Sequence, residues 1–210
     1  MSTEPVHAAA STAQRRLSPD DRRAQLVSVG LDLVKSAPLD EVTATAVAAA
    51  AGVSKGLVFH YFPSQGELQA AIASAAADEL LDMFSSIDPE LDYVAQLRAG
   101  IDGFISYIEQ QPASYAAIAR DAGSDQALRN VFERTRDAIV VIVCDVVGLN
   151  EPTPAMRLYL RGWIAMVEET ILQWVLHRAV SRTDLVDYLQ SSAFDLVAHY
   201  LGKRIDTPLR

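Results

Sequence analysis

Apolar positions recur through most of the chain at the spacing of one helix face, and no strand-like alternation persists anywhere. Ser18-Pro19-Asp20-Asp21 has the order of a helix start: a capping hydroxyl, a proline at the first helical position, then acids facing the positive end of the helix dipole. Leu26, Gly30, Leu33 and Val34 follow at i, i+4, i+7 and i+8, one face of an amphipathic helix that Pro38 stops. Thr43 caps a short alanine-rich helix containing Val47, Ala48 and Ala51, and Gly52 ends it. Ser54 caps the next helix two residues later, which can run only to about Phe62 before Pro63. Pro63-Ser64 opens a long helix through Leu68, Ile72, Ala75 and Leu80 to about Met83.

Five further helical segments are predicted at about 91–111, 112–121, 125–147, 154–178 and 182–202, separated by turn residues such as Asp88-Pro89, Pro112 and Gly123-Ser124-Asp125. The expected fold is all-α. Three short helices and a connector within about 65 residues, the second and third joined by a tight glycine turn, have the helix-turn-helix plan. The expected division is a flexible tail over 1–17, a helix-turn-helix unit over 18–66, a connecting helix over 67–83 and a larger helical domain over 84–206.

Composition agrees with dense helical packing. Half of the residues are hydrophobic and 21% charged, while 10 glycines and 9 prolines sit mostly at the breaks. No stretch of about 18 uncharged apolar residues exists, so no membrane span is expected. Residues 1–16 lack the basic-then-apolar order of a secretion signal, and Cys144, the single cysteine, lies in a largely apolar run and reads as a structural thiol. A cytoplasmic location is the expectation. The net charge of −9 argues against strong non-specific binding to nucleic acid, yet residues 14–65 carry 6 basic and 5 acidic side chains. Affinity for phosphate depends on local charge, so the overall acidity does not exclude DNA.

Residues 43–68, TATAVAAAAGVSKGLVFHYFPSQGEL, resemble the DNA-binding signature of the TetR family of transcriptional regulators, above all in AGVSKG and in the aromatic cluster ending in YFPS. The resemblance is specific over 18–83; beyond 84 it is architectural. It implies that Lys55, in the first turn of the third helix, reaches base edges or a nearby phosphate, and that Gly56, Leu57, Phe59, His60 and Tyr61 share that helix's DNA face. Thr43 and Ser54 place hydroxyls and free backbone N–H groups at helix N-termini, which suit phosphate, and Arg16 and Arg22 add charge nearby. Phe59 and Phe62 also fit a purely packing role, as does Tyr61. Three positions depart from the family pattern: Leu57 stands in place of a usual threonine, Phe59 in place of a phosphate-binding tyrosine, and Gln65 in place of a phosphate-binding lysine. They remove polar anchors, so backbone contact is expected to lean on Arg15, Arg16, Arg22 and Arg23.

The same resemblance implies a homodimer joined through the last two long helices, a double-stranded DNA operator and a small-molecule effector. Segment 154–178 is apolar around more than one face, as a helix needs if it packs both inside its own domain and against a partner. Phe104, Tyr107, Tyr115, Trp163 and Met166 are candidate walls of an apolar cavity. Either Glu168 or Glu169 faces inward, where a carboxylate needs a partner, with Arg120 or the effector as candidates. The expected function is therefore a DNA-binding regulator, a repressor released from its operator by a partly apolar ligand; the alternative is a helical ligand-binding or adaptor protein that has lost specific DNA binding. Catalysis is not expected: His7, His60, His177 and His199 are scattered, and no HExxH motif, cysteine cluster or nucleophile elbow is present. No cofactor or metal is called for.

Overall fold

The structure, a computed structural model, describes residues 17–110, 112, 115, 116, 125–149 and 152–202. The expected tail with Arg15 and Arg16, most of the expected 112–121 helix, and Arg120 lie outside the described residues; residues 112, 115 and 116 are helical. Among the described residues the fold is all-α. In chain order the helices are α1 (Pro19–Val34), α2 (Ala44–Ala51), α3 (Lys55–Tyr61), α4 (Gln65–Ser85), α5 (Tyr93–Gln110), α6 (Gln126–Val146), α7 (Pro154–His177) and α8 (Arg182–Leu201).

Capping explains most of the boundaries. The Ser18 hydroxyl accepts the Asp21 N–H at 3.1 Å, Thr43 accepts that of Ala46 at 3.1 Å, Ser54 that of Leu57 at 3.2 Å and Ser64 that of Glu67 at 3.1 Å. Gly52 ends α2 with φ at +66°, a left-handed conformation that side chains rarely adopt. After Pro38 the chain makes a 3₁₀ turn over Leu39–Glu41 that the apolar pattern did not disclose; it drops Leu39 into the core ahead of α2.

The N-terminal core gathers Leu26 and Val34 of α1, Val47 of α2, Val58 of α3, Phe62, and Leu68 and Ile72 of α4. It also takes Leu128 and Val131 from the first turns of α6. Gly30 lets α1 lie directly on α4: a Cβ there would sit 2.4 Å from Cδ1 of Ile72. The second core is built by α5, α6, α7 and α8, with Ile105, Ile108, Leu160, Ile171 and Leu189 near its centre. Since α6 belongs to both cores and runs along α4, the two parts of the molecule are joined by side chains as well as by the continuous α4.

Candidate nucleic-acid interface and effector cavity

Helix α3 has one inward face and one outward face. Val58 is fully buried and Phe62, just past the helix, nearly so; at 3.6 residues per turn Gly56, Phe59 and His60 lie away from Val58 and are exposed, and Lys55, one turn before Val58, is exposed in the first turn. Leu57 and Tyr61 flank that face, half-buried. Of the two phenylalanines, Phe62 belongs to the core, with the guanidinium of Arg23 4.9 Å from its ring centre, whereas Phe59 is 38% exposed. The Lys55 ammonium lies 5.6 Å from the centre of the exposed Phe59 ring, which holds the cation beside the outward face. A Cβ added at Gly56 would meet only Ser54 Oγ at 3.9 Å, so nothing inside the chain requires glycine there.

Thr43 and Ser54 are exposed, and each hydroxyl that caps its helix keeps a proton to donate. Arg22 is half-buried on α1 and donates to Gln25 Oε1 at 2.6 Å. His60 and Tyr61 meet edge to face at 5.2 Å. Gln65 has a role that the sequence did not suggest. Its amide nitrogen donates to the Val42 carbonyl at 2.7 Å and its oxygen accepts the Ala44 N–H at 2.9 Å, fastening the start of α2 to the start of α4. A lysine could make only the first of these bonds.

In the larger part of the molecule, the candidate cavity residues divide between two cavities. An apolar one is lined by Phe84, Leu97, Gly100, Phe104, Val143, Trp163 and Val167 among others, and encloses about 550 Å³ including its open mouth. Trp163 is fixed by its indole N–H, which donates to Ser192 Oγ of α8 at 2.8 Å. The second cavity, about 440 Å³ with its mouth, lies against Ala73, Ala76 and Ala77 of α4 and holds Tyr107, Tyr115 and Glu168. Met166 lines neither; it packs half-buried on the outside of the same core, one position off the inward row of Trp163 and Val167.

Of the two candidate glutamates, Glu168 is the buried one, at 6% exposure, while Glu169 is exposed and accepts from Gln173 Nε2 at 2.8 Å. Among the described residues the charged partner of Glu168 is Arg136 of α6; the proposed Arg120 lies outside them. Arg136 Nε donates to Glu168 Oε2 at 3.1 Å, Nη2 donates to the same oxygen, and Tyr115 Oη donates to Oε1 at 3.0 Å. Burial, then the nearby Glu168 carboxylate, raises the Tyr115 hydroxyl well above the usual tyrosine range and keeps it a donor. Arg136 was overlooked, although it sits in the apolar row of Phe132, Ile139 and Val143, and a charged residue in such a row needs a buried partner.

On its solvent side α7 exposes Leu158 (67%), Tyr159 and Leu176 (69%), and α8 exposes Tyr188. No described helix is long and apolar enough to cross a membrane, and no group of His, Cys, Asp or Glu among the described residues could hold a metal ion.

The fold and the α2–turn–α3 corner thus define a helix-turn-helix protein with a separate helical body. Residues 26–72 match the family described as bacterial regulatory proteins, tetR family, and residues 94–196 match the tetracyclin repressor-like C-terminal domain. A solved tetR-family transcriptional regulator from Streptomyces coelicolor is 28% identical with a TM-score of 0.77, covering 89% of this chain and 84% of that one. The HTH-type transcriptional activator FasR of Mycolicibacterium smegmatis is 23% identical over 164 residues, 76% of this chain and 75% of FasR. The nucleoid occlusion factor SlmA of a Marinomonas strain is 23% identical over 144 residues, 65% of this chain and 73% of SlmA. The chain belongs to the TetR family and is a DNA-binding transcriptional regulator.

Proposed function

We propose that the protein is a homodimeric repressor that leaves its operator when a small, largely apolar ligand fills the helical body. The observation that carries the DNA half of this reading is α3 itself, where Lys55, Gly56, Phe59 and His60 stand exposed on a helix capped by the Ser54 hydroxyl. Lys55 reads base edges in the major groove, Gly56 allows the helix to approach closely, and Leu57 meets a thymine methyl. Thr43, Ser54, His60, Tyr61 and Arg22, with Arg16 ahead of α1, contact phosphates. Residues 18–66 act as the reading head, 67–83 as the connector and 84–206 as the sensing and pairing body.

Two copies pair through α7 and α8, covering Leu158, Leu176 and Tyr188, which a lone chain leaves to water. Pairing sets two α3 helices about one DNA turn apart, on the order of 35 Å, on a roughly palindromic site. The effector occupies the cavities bounded by Phe104, Tyr107, Tyr115, Trp163 and Glu168. Coupling runs through α6 and α4, since α6 contributes to both cores and the second cavity lies against α4. A shift of α4 on binding changes the spacing of the two reading heads. The similar FasR is named an activator; repression is proposed here on the family's general habit.

The test is a gel shift with DNA from upstream of the chain's own gene, together with a transcription assay on the same DNA. A repressor gives a retarded band over scrambled DNA and lowers transcript output. No retarded band means a helical binding protein that has lost its operator. A retarded band with raised output means an activator.

A further inference from the structure

The cavity against α4 contains a fixed charge pair whose two members differ sharply in burial, and that difference selects the charge of a ligand. Glu168 has its side chain 8% exposed and is held on the inward row of α7 between Val167 and Ile171. Arg136 is 24% exposed, lies over the Phe132 ring with its guanidinium 4.4 Å from the ring centre, and reaches the carboxylate on a long flexible stem. No buried side-chain nitrogen or oxygen among the described residues lacks a hydrogen-bond partner, so an entering charged ligand competes with one member of the pair for the other.

Displacing Arg136 is the cheaper exchange. The guanidinium already touches solvent and can turn outward to water, while an incoming cation replaces it on the carboxylate. An incoming anion would instead draw the guanidinium away and leave Glu168 buried with, among the described residues, the Tyr115 hydroxyl as its donor, a poorly compensated charge in a poorly solvated site. The aromatic rings of Tyr107, Tyr115 and Phe132 around the pair also favour a cation. Ile139 lines both this cavity and the apolar one, and the Tyr115 ring meets that of Phe104, an apolar-cavity residue, edge to face at 5.8 Å. A hydrocarbon body therefore has an apolar space next to the charged head's position.

Resting on the proposal that these cavities take the effector, we infer that the effector is an organic cation, a protonated or quaternary amine on an apolar body, whose head replaces Arg136 on Glu168. The exchange also cuts the Arg136–Glu168 tie between α6 and α7, and α6 is the helix shared with the core of the reading head.

The experiment is calorimetric titration of the full chain with three ten-carbon probes below their micelle concentrations: decyltrimethylammonium, decanol and decanoate. The ammonium binds at least tenfold tighter than decanol, and decanoate binds more weakly than decanol. In Glu168→Gln the ammonium falls to the affinity of decanol, while decanol is unchanged. In Arg136→Gln, folded by circular dichroism, ammonium affinity rises several-fold, the reverse of what an anion site would give. Should Arg136→Gln fail to fold, the three probes on the unaltered chain and on Glu168→Gln still decide. Decanoate binding tightest, equal affinities for all three probes, or a preference that survives Glu168→Gln overturns the inference and leaves the effector cavity standing. If none of the probes binds, the effector reading falls, and this inference with it.

Discussion

The exposed side of α3 carries a lysine, a histidine, a glycine and one phenylalanine above a core that is wholly apolar, whereas the outward face of α7 carries leucines and a tyrosine above a core that holds an ion pair. The reading head and the body thus distribute polarity in opposite senses. A head that meets a polyanion needs its polar groups in solvent and nothing charged beneath them. A body that pairs with a second copy and receives an apolar ligand needs apolar groups outside and recognition groups within. The difference shows where each part's specificity resides: on the surface of the head, and in the interior and on the pairing face of the body.

The largest expected effect breaks the body's side of this contrast. Leu158→Ala with Leu176→Ala removes two exposed leucines from each copy's proposed pairing face, four per dimer, at roughly 2 kcal/mol each by burial, or about a millionfold in dimer dissociation. Light scattering should show monomers at micromolar concentration, with helix content intact; an unchanged dimer would place the interface elsewhere.

Arg136→Ala attacks the body's interior and should destabilise the chain by roughly 2–4 kcal/mol, somewhat less than a fully buried pair because Arg136 keeps contact with water. Replacing Glu168 and Arg136 together by Met should recover most of that loss in thermal melts. A single variant as stable as the parent would mean that Glu168 finds another partner.

On the head the effects are smaller and concern binding. Phe59→Tyr adds a hydroxyl to an exposed ring and should strengthen binding by about 1.5 kcal/mol at most, equally on operator and random DNA, since phosphates carry no sequence. Titrations of both DNAs at one salt concentration check this; a gain confined to the operator would put residue 59 against bases. Ser54→Ala removes the α3 cap and should cost about 1 kcal/mol of stability in denaturant melts.

The same contrast governs what the sequence made legible. Helix bounds were readable because caps and breakers act locally: Ser18, Thr43, Ser54 and Ser64 each take the N–H that their position implies. Gly56, Phe59 and His60 on the outward side of α3 followed from spacing on a seven-residue helix with one buried valine, whereas Lys55 is exposed by its place in the first turn. The body's site was harder to read, because its residues come from distant helices. The Arg136–Glu168 pair spans 32 positions and depends on how α6 crosses α7, which no local pattern states. Gln65 was hard to read for a related reason: its amide fastens α2 to α4 across 21 and 23 positions, beyond any local pattern. The division of Phe104 and Trp163 from Tyr107, Tyr115 and Glu168 into two cavities likewise needed the packing of Ile139 between them.

The account turns on α3 reading DNA with its exposed face, and Lys55→Ala tests that most directly. Fluorescence anisotropy would follow the parent and the variant on labelled DNA from upstream of the gene and on a scrambled duplex, at two salt concentrations. The account predicts that Lys55→Ala loses roughly 1–3 kcal/mol on the upstream DNA and less on the scrambled duplex, so that discrimination falls while the fold is retained. Identical curves for parent and variant on both DNAs, at both salt concentrations, would contradict it and remove α3 as the reading helix.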